Sequence, residues 1–154
     1  MEIRDFLAPE AVVIDLAAAS KKQVLQTLAQ RIARIVHQDE RTVFDVLLER
    51  ERLGTTGVGK GIAIPHGKIA SLDRIYGLFA RLKPPVEFEA MDNDPVDLVF
   101  LLLAPAAAGA DHLKALARVS KLLRNPAQCE KLRKAPDAKT AFAILTAEAA
   151  TQAA

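Results

Sequence analysis

Residues 98–103 read LVFLLL and are apolar at every position. Successive side chains of a β-strand point to opposite faces of its sheet, so a strand of this composition buries both faces. Such runs are typical of a central strand that has helices packed on either side. The segment therefore predicts an α/β fold built on a covered sheet, with strand 98–103 near its centre.

Further strands are predicted on the N-terminal side of this run. Three segments combine β-branched or aromatic residues with turn residues at their ends: VVID at 12–15, IAIP at 62–65 and IYGLFARL at 75–82. Because Pro65 lacks a backbone N–H group, the second of these strands is predicted to end there. The segment from Val86 to Phe88 is a candidate for one more short strand.

Capping residues predict two helices between the first strands. Ser20 and Gln23 fit a capping box, and apolar residues recur at helical spacing over 24–36. A second helix is predicted from Asp39 to Leu53, since the glycine that follows is a natural C-terminal stop.

Three more helices are predicted after the central run. Asp111 is expected to cap a helix that ends near Arg124, and Asn125-Pro126 marks the start of the next one. Pro136-Asp137 precedes a last helix over roughly 138–149. The order of elements predicts a three-layer α/β/α sandwich with a central mixed sheet. We expect one domain over 1–150 and a short tail at 151–154.

The composition is that of an ordinary globular domain. Hydrophobic residues make up 51% and charged residues 26% of the 154 residues, and Cys129 is the single cysteine, so no internal disulfide can form. The start, MEIRDFLAPE, has acidic residues where a signal peptide has basic and apolar ones, and no apolar run suffices to span a bilayer. A cytoplasmic protein without membrane insertion is expected.

Charge says little about partners. The formal net charge is +2, and the chain has no Trp and one Tyr, so a nucleic-acid surface is not expected. Residues 111–139 contain eight Lys or Arg against three Asp or Glu. That segment fits either solvated helix faces or a docking face for an acidic partner.

Residues 54–68 read GTTGVGKGIAIPHGK, and the first half of this stretch is close to a phosphate-binding P-loop. Gly54, Gly59 and Lys60 match the pattern G-x-x-x-x-G-K, but Gly61 stands where the pattern needs a Ser or Thr hydroxyl. A P-loop also joins a strand to a helix, whereas a predicted helix precedes this loop. We interpret it as a turn after a helix or as a mobile loop beside the histidine that follows.

His66 is the main candidate for chemistry. It follows the predicted strand end at Pro65, and the carboxyl edges of strands are where α/β domains place their sites. An imidazole that is largely uncharged near neutral pH is a competent nucleophile, although a surface histidine without a role is the alternative. No pair among His37, His66 and His112 has the short spacing of a zinc site, so no metal is expected.

Two more residues complete a candidate site. His112 stands near the start of a predicted helix after the central strand, a second position at the carboxyl edge of the sheet. Arg50 lies near the end of the helix that enters the glycine loop, and its planar donor fork suits phosphate oxygens. With His66 these residues make a phosphoryl-transfer site. The alternatives are a helix-start residue for His112 and a solvated charge for Arg50.

The stretch LLERERLGTTGVGKGIAIPHGK, residues 47–68, resembles the signature of enzyme IIA domains of the fructose–mannitol type in the bacterial phosphotransferase system. It is most similar to the nitrogen-regulatory branch, whose pattern is ERLGSTGxGxGIAIPHGK, with Thr55 and Lys60 as mild departures. The likeness extends to the LVFLLLAP strand and the DHL helix start. It implies the phosphotransferase enzyme IIA type 2 fold.

The same resemblance implies a mechanism and partners. A histidine-containing phosphocarrier protein would give its phosphoryl group to Nε2 of His66; His112 would steady that group and Arg50 would neutralise its charge, without ATP, metal or other cofactor. Nitrogen-regulatory members bind targets such as sensor kinases or potassium-transport components according to their phosphorylation. The chain is thus interpreted as a phosphohistidine phosphocarrier and regulator of nitrogen, potassium or carbon metabolism.

Three other functions stay open. A sugar-specific enzyme IIA would use the same chemistry but pass the phosphoryl group to a fructose or mannitol permease. A phosphorylation-independent binding module would use the basic region 111–139. A nucleotide-binding loop would use the glycines of residues 54–61.

Overall fold

The computed structural model describes residues 1–147, and its strands and helices follow the predicted order. The strands are β1 (Val12–Leu16), β2 (Gly57–Gly59), β3 (Ile62–Ala63), β4 (His66–Lys68), β5 (Tyr76–Val86) and β6 (Val96–Ala104). The helices are α1 (Lys21–Val36), α2 (Glu40–Leu53), α3 (Ala110–Leu123), α4 (Pro126–Lys134) and α5 (Ala138–Thr146). None of these helices is long and apolar enough to cross a bilayer.

The predicted central strand is β6. It runs antiparallel to β5 on one side and parallel to β3 and β4 on the other, and the sheet order is β1-β5-β6-β3-β2. Every residue from Leu98 to Ala104 is at most 1% exposed, so both faces of this strand are covered. The prediction of a mixed sheet around LVFLLL is confirmed.

Helices cover the sheet in two groups. Helices α1 and α2 pack on each other and contact β5 and β4, whereas α3, α4 and α5 form a second packed series that contacts β6 and β1. The helix starts expected at Ser20, Asp39, Asn125 and Asp137 are confirmed, because each of these side chains accepts a hydrogen bond from a backbone N–H in the first turn of its helix. The three-layer α/β/α sandwich is confirmed.

Two local predictions are wrong. Helix α3 begins at Ala110 with Gly109 as its N-cap, at φ 55°, so Asp111 lies in the first turn and does not cap the helix. In that position its carboxylate still interacts favourably with the positive, N-terminal end of the helix dipole. No separate strand forms near Val86, because β5 continues to that residue with a shift of register after Arg81. Two consecutive prolines without N–H groups account for that shift.

The C-terminal predictions lie partly outside the described residues. Helix α5 is described to Thr146, and the predicted end near residue 149 and the tail at 151–154 fall beyond residue 147. The single domain over 1–150 therefore stays a prediction.

A buried arginine joins the sheet to the second helix group. Arg81 on β5 is 9% exposed. Its Nη1 donates to the carbonyl oxygens of Leu132, Arg133 and Ala135 at 2.8–3.2 Å, and its Nε donates to Asp15 at 3.0 Å. The side chain thus supplies donors to carbonyls at the C-terminal end of α4, where partners within the helix run out.

We expect Arg81→Met to lower the free energy of unfolding by about 3 kcal/mol, because the carbonyls lose their buried charged donor. Urea unfolding measures the change. Arg41→Met is the matched control: Arg41 is exposed and pairs with Asp45 one turn away. The free energy of unfolding of Arg41→Met should fall by less than about 0.5 kcal/mol. Equal losses in the two variants would contradict the role of Arg81.

Candidate phosphoryl-transfer site

His66 opens strand β4 after a two-residue break that follows β3. Pairing with β6 stops at Ala63 and resumes at His66, which lies opposite Leu102. The predicted strand over 62–65 is present as β3, but it ends at Ala63, two residues before Pro65. Pro65 has no N–H for the ladder, but its carbonyl accepts from Leu102 N at 3.0 Å, which realigns the chain so that pairing continues. The break places His66 beside the carboxyl end of β6.

The half-buried His66 ring is held by one hydrogen bond at each nitrogen. Its Nδ1 lies 2.9 Å from the carbonyl oxygen of Ile64, and Arg50 Nε donates to its Nε2 at 3.3 Å. A carbonyl can only accept, so Nδ1 carries the proton and Nε2 carries the lone pair. The nitrogen beside the guanidinium of Arg50 is thus the nucleophilic one.

Arg50 reaches His66 from the last turn of α2. Its Nη1 also donates to the carbonyl of Gly54 at 2.9 Å, which fixes the guanidinium across the start of the glycine loop. Gly67 lets this helix come close to β4, because a Cβ at residue 67 would collide with Val46. The glycine after His66 is therefore required by the packing of α2.

His112 lies next to His66 in the first turn of α3. The two ring centroids are 5.7 Å apart at an interplanar angle of 67°. His112 is 7% exposed, and among the described residues its buried Nδ1 has no hydrogen-bond partner. Burial, followed by the charges of His66 and Lys68, lowers its pKa below the ordinary value. A neutral ring with its proton on Nε2 avoids a buried unpaired N–H at Nδ1.

These side chains line an open depression of about 750 Å³. Its polar lining includes Arg50, His66, Lys68 and His112. Leu53 and Leu113 also line it and are 80% and 68% exposed, which is unusual for large apolar residues. The site is thus open to solvent and combines cationic and imidazole groups with apolar residues suited to a protein partner.

The glycine loop does not have the features of a phosphate cradle. The C-terminus of α2 precedes it, so no helix N-terminus points into it. Two of its amides already donate to carboxylates: Thr56 N to Glu51 at 2.6 Å and Lys60 N to Asp92 at 2.8 Å. Residues 1–147 contain no cluster of three or more side chains able to hold a metal ion. His37 lies outside the depression, as the left-handed C-cap of α1.

Comparison with known proteins identifies the family. Residues 5–148 match the family described as phosphoenolpyruvate-dependent sugar phosphotransferase system, EIIA 2. The chain belongs to this family. It is 57% identical over 153 residues to the nitrogen regulatory protein of Bradyrhizobium diazoefficiens, a match that covers 99% of this chain and all of the relative. The expected kinship with nitrogen-regulatory enzyme IIA proteins is confirmed.

Solved structures of EIIA proteins have the same fold. The nitrogen regulatory protein IIA-Ntr from Neisseria meningitidis superposes with a TM-score of 0.89 at 35% identity, covering 94% of this chain and 99% of that one. The mannitol IIA of Escherichia coli gives 0.76 at 20% identity over 90% and 97%, a likeness of fold alone. The expected enzyme IIA type 2 fold is confirmed.

One buried charged residue, which follows Arg50 on α2, was missed in the sequence. Glu51 belongs to the charged run ERER, for which solvent exposure was one interpretation. The structure shows instead that Glu51 is 7% exposed. Helical spacing contained the signal: Glu51 lies four residues after the inward-facing Leu47 and so shares its buried face.

We expect His112 to make this EIIA domain sensitive to acid. Its lowered pKa means that the folded protein binds fewer protons than the unfolded chain, so the stability from this group is present above about pH 6.5 and falls with pH below it. His112→Gln should lose less stability than the parent between about pH 7.5 and pH 5.5, as measured by urea unfolding. Parallel pH profiles for the two proteins would contradict the prediction.

Proposed function

We propose that this EIIA protein accepts a phosphoryl group on Nε2 of His66 from a phosphohistidine carrier protein in the cytoplasm. We further propose that its phosphorylation state controls binding to regulatory target proteins such as sensor kinases or potassium-transport components. The observation that supports acceptance is the His66 ring itself: Nδ1 donates to Ile64, and the Nε2 lone pair faces Arg50 in an open depression.

The transfer needs positioning and charge compensation more than covalent machinery. The hydrogen bond from Arg50 Nε to Nε2 is released, the Nε2 lone pair of His66 forms the new bond to phosphorus, and the bond between phosphorus and the carrier's imidazole breaks. Atoms and charges balance when the carrier's ring holds a proton on its other nitrogen and so leaves as neutral imidazole. Phosphorylated His66 then keeps its proton on Nδ1, where the Ile64 carbonyl stabilises the positive ring.

Two groups would meet the arriving phosphoryl oxygens. Arg50 brings a permanent cation with further donors beyond the Nε that reaches His66. His112, with its ring centroid 5.7 Å from that of His66, would donate from Nε2 as a neutral ring. Neither role needs ATP or a metal ion.

Phosphorylation would change the docking surface directly. A phosphoryl group adds a charge of about −1.5 to −2 at pH 7. It would arrive between Leu53 and Leu113, the exposed apolar residues that line the depression. A partner that buries these leucines would have to desolvate the new charge, whereas a partner with arginines would gain contacts. Binding should therefore depend on phosphorylation.

The regulatory assignment follows the 57% identity to a nitrogen regulatory protein. Sugar-specific EIIA function is the alternative, since the mannitol protein shares the fold. The third reading, a constitutive basic docking face over 111–139, has less support. Three of its cations already form ion pairs within the chain: Arg118 with Glu2, Arg133 with Asp97 and Lys134 with Glu130.

Intact-protein mass spectrometry tests the proposal. The chain is incubated with phosphoenolpyruvate, enzyme I and a histidine phosphocarrier, and we expect a gain of one acid-labile phosphoryl group. Phosphorylated protein is then mixed with permease membranes and fructose or mannitol. Retention of the group supports the regulatory role, and delivery to the sugar supports the sugar-specific one. No gain with several carriers would contradict phosphoryl acceptance.

A further inference from the structure

Glu51 is a buried carboxylate that follows Arg50 on α2 but does not line the depression. Its side chain is 4% exposed and accepts two hydrogen bonds from Thr56, from N at 2.6 Å and from Oγ1 at 2.5 Å. Lys21 at the start of α1 places its Nζ 3.2 Å from the same carboxylate. A buried carboxylate is tolerated only when such partners compensate its desolvation. These contacts hold the Glu51 carboxylate in place, one residue after Arg50.

A series of hydrogen bonds leads from the Glu51 carboxylate, through Thr56 and Ile64, to the imidazole of His66. The carbonyl of Thr56 accepts from Ile64 N at 3.0 Å, and the carbonyl of Ile64 accepts from His66 Nδ1 at 2.9 Å. Ile64 lies in the break between β3 and β4, where no sheet ladder holds it. Ala63 and Pro65 on either side are bonded to the sheet, and the Thr56 carbonyl is the hydrogen-bond partner of Ile64 N itself. Thr56, held by Glu51, therefore helps to set the orientation of the Ile64 peptide groups.

The series of hydrogen bonds continues on the other side of the His66 imidazole and leads back to Glu51. Arg50 Nε donates to His66 Nε2, and Arg50 Nη1 donates to the carbonyl of Gly54. Gly54 N donates in turn to the backbone carbonyl of Glu51 at 3.2 Å. Glu51 thus contributes to both supports of the imidazole, through its side chain toward Nδ1 and through its backbone toward Nε2.

We propose that Glu51, with Lys21 and Thr56, is a positioning residue that keeps the proton of His66 on Nδ1 and the lone pair on Nε2. The importance of this tautomer for transfer rests on the proposed function of His66. When the Ile64 carbonyl moves, the proton on Nδ1 loses its acceptor, and only the Arg50 donor at Nε2 still favours this tautomer, so the Nε2–H form gains population. The reactive nitrogen is then protonated for part of the time, and the phosphorylated ring loses its partner.

Two neighbouring threonines give a matched test. Thr56→Val removes the hydroxyl that donates to Glu51. Thr55→Val removes a hydroxyl of the same loop that donates to the Phe88 carbonyl at 3.0 Å and accepts from Gly57 N at 3.1 Å but does not contact the Glu51 carboxylate. Thr56→Ser restores the donor. Glu51→Gln keeps the shape of the side chain and removes its charge, and the threonine variants suffice where it fails to fold.

The first readout is the tautomer of unphosphorylated His66, from long-range ¹⁵N–¹H NMR of its imidazole. We expect a single Nδ1–H form in the parent, Thr56→Ser and Thr55→Val, and a mixture in Thr56→Val and Glu51→Gln. The second readout is the rate of phosphorylation, which should fall about tenfold in the mixed variants, less than the hundredfold that a full ångström of misplacement can cost.

Equal tautomer populations in Thr56→Val and Thr55→Val would overturn the proposal and leave Glu51 with a purely structural role. Because the tautomer is measured without any carrier, this result is independent of the proposed function. A parent that shows the Nδ1–H form but takes up no phosphoryl group would contradict the function of His66, and the NMR comparison would still decide the role of Glu51.

Discussion

Replacing His66 with alanine is expected to abolish phosphorylation of the chain by a phosphohistidine carrier. The variant lacks the nitrogen whose lone pair faces Arg50 in the depression. His112 is a poor substitute because it is 7% exposed, so a protein donor cannot approach it in line. Intact-protein mass spectrometry should show no added phosphoryl group after incubation with phosphoenolpyruvate, enzyme I and carrier.

His37→Ala is the control for this loss, since His37 caps α1 and does not line the depression. It should gain one phosphoryl group at the parent's rate. Circular dichroism should show the same fold in both variants, because His66 packs at the edge of an open cavity. A phosphoryl group on His66→Ala would contradict the assignment of the acceptor, and addition of His112→Ala would then show whether the second histidine carries it.

Local patterns in the sequence predicted most of the architecture. The LVFLLL run required cover on both faces, and polar side chains such as Ser20 and Asn125 begin helices by accepting backbone N–H groups of the first turn. Both effects act within a few residues of the chain, so they can be inferred without knowing the tertiary contacts.

Apart from the cap of α3, which lies two residues before the predicted Asp111, the errors concern features that distant parts of the chain determine. Pairing stops at Ala63 and resumes at His66 because β6 extends far enough to accept the chain again. The sequence shows Pro65 but not the length of its partner strand. Glu51 is likewise indistinguishable from an exposed charge until Lys21 and Thr56 are brought against it. Register and buried polar partners are tertiary properties.

The candidate site was likewise predictable in the positions of its residues but not in their protonation. A strand end and a helix start placed His66 and His112 at one edge of the sheet, and a helix end placed Arg50 before the glycine loop. The structure brings the three side chains together. The protonation pattern of the rings could not be predicted, because it depends on the Ile64 carbonyl and on the burial of His112. The chemistry assigned to these residues depends on that pattern.

Replacing Arg50 with alanine is expected to slow phosphorylation of His66 about 100-fold to 1000-fold, the usual cost of removing one preorganised donor from a developing charge. The guanidinium contacts Nε2 and the Gly54 carbonyl, so its loss removes both a cation and a support of the ring. Rapid-quench measurement at saturating phosphorylated carrier separates this rate from carrier binding.

Arg52→Ala is the matched control, because Arg52 lies on the same helix, is exposed and pairs with Glu49. It should phosphorylate at nearly the parent's rate. Arg50→Lys keeps the charge but cannot bridge His66 and Gly54 with one planar fork, so its rate should fall between those of the parent and Arg50→Ala. Equal rates for Arg50→Ala and Arg52→Ala would show that the charge of Arg50 does not act on the transferred group. If lysine restores the full rate, the cation alone is sufficient and the fork geometry is not required.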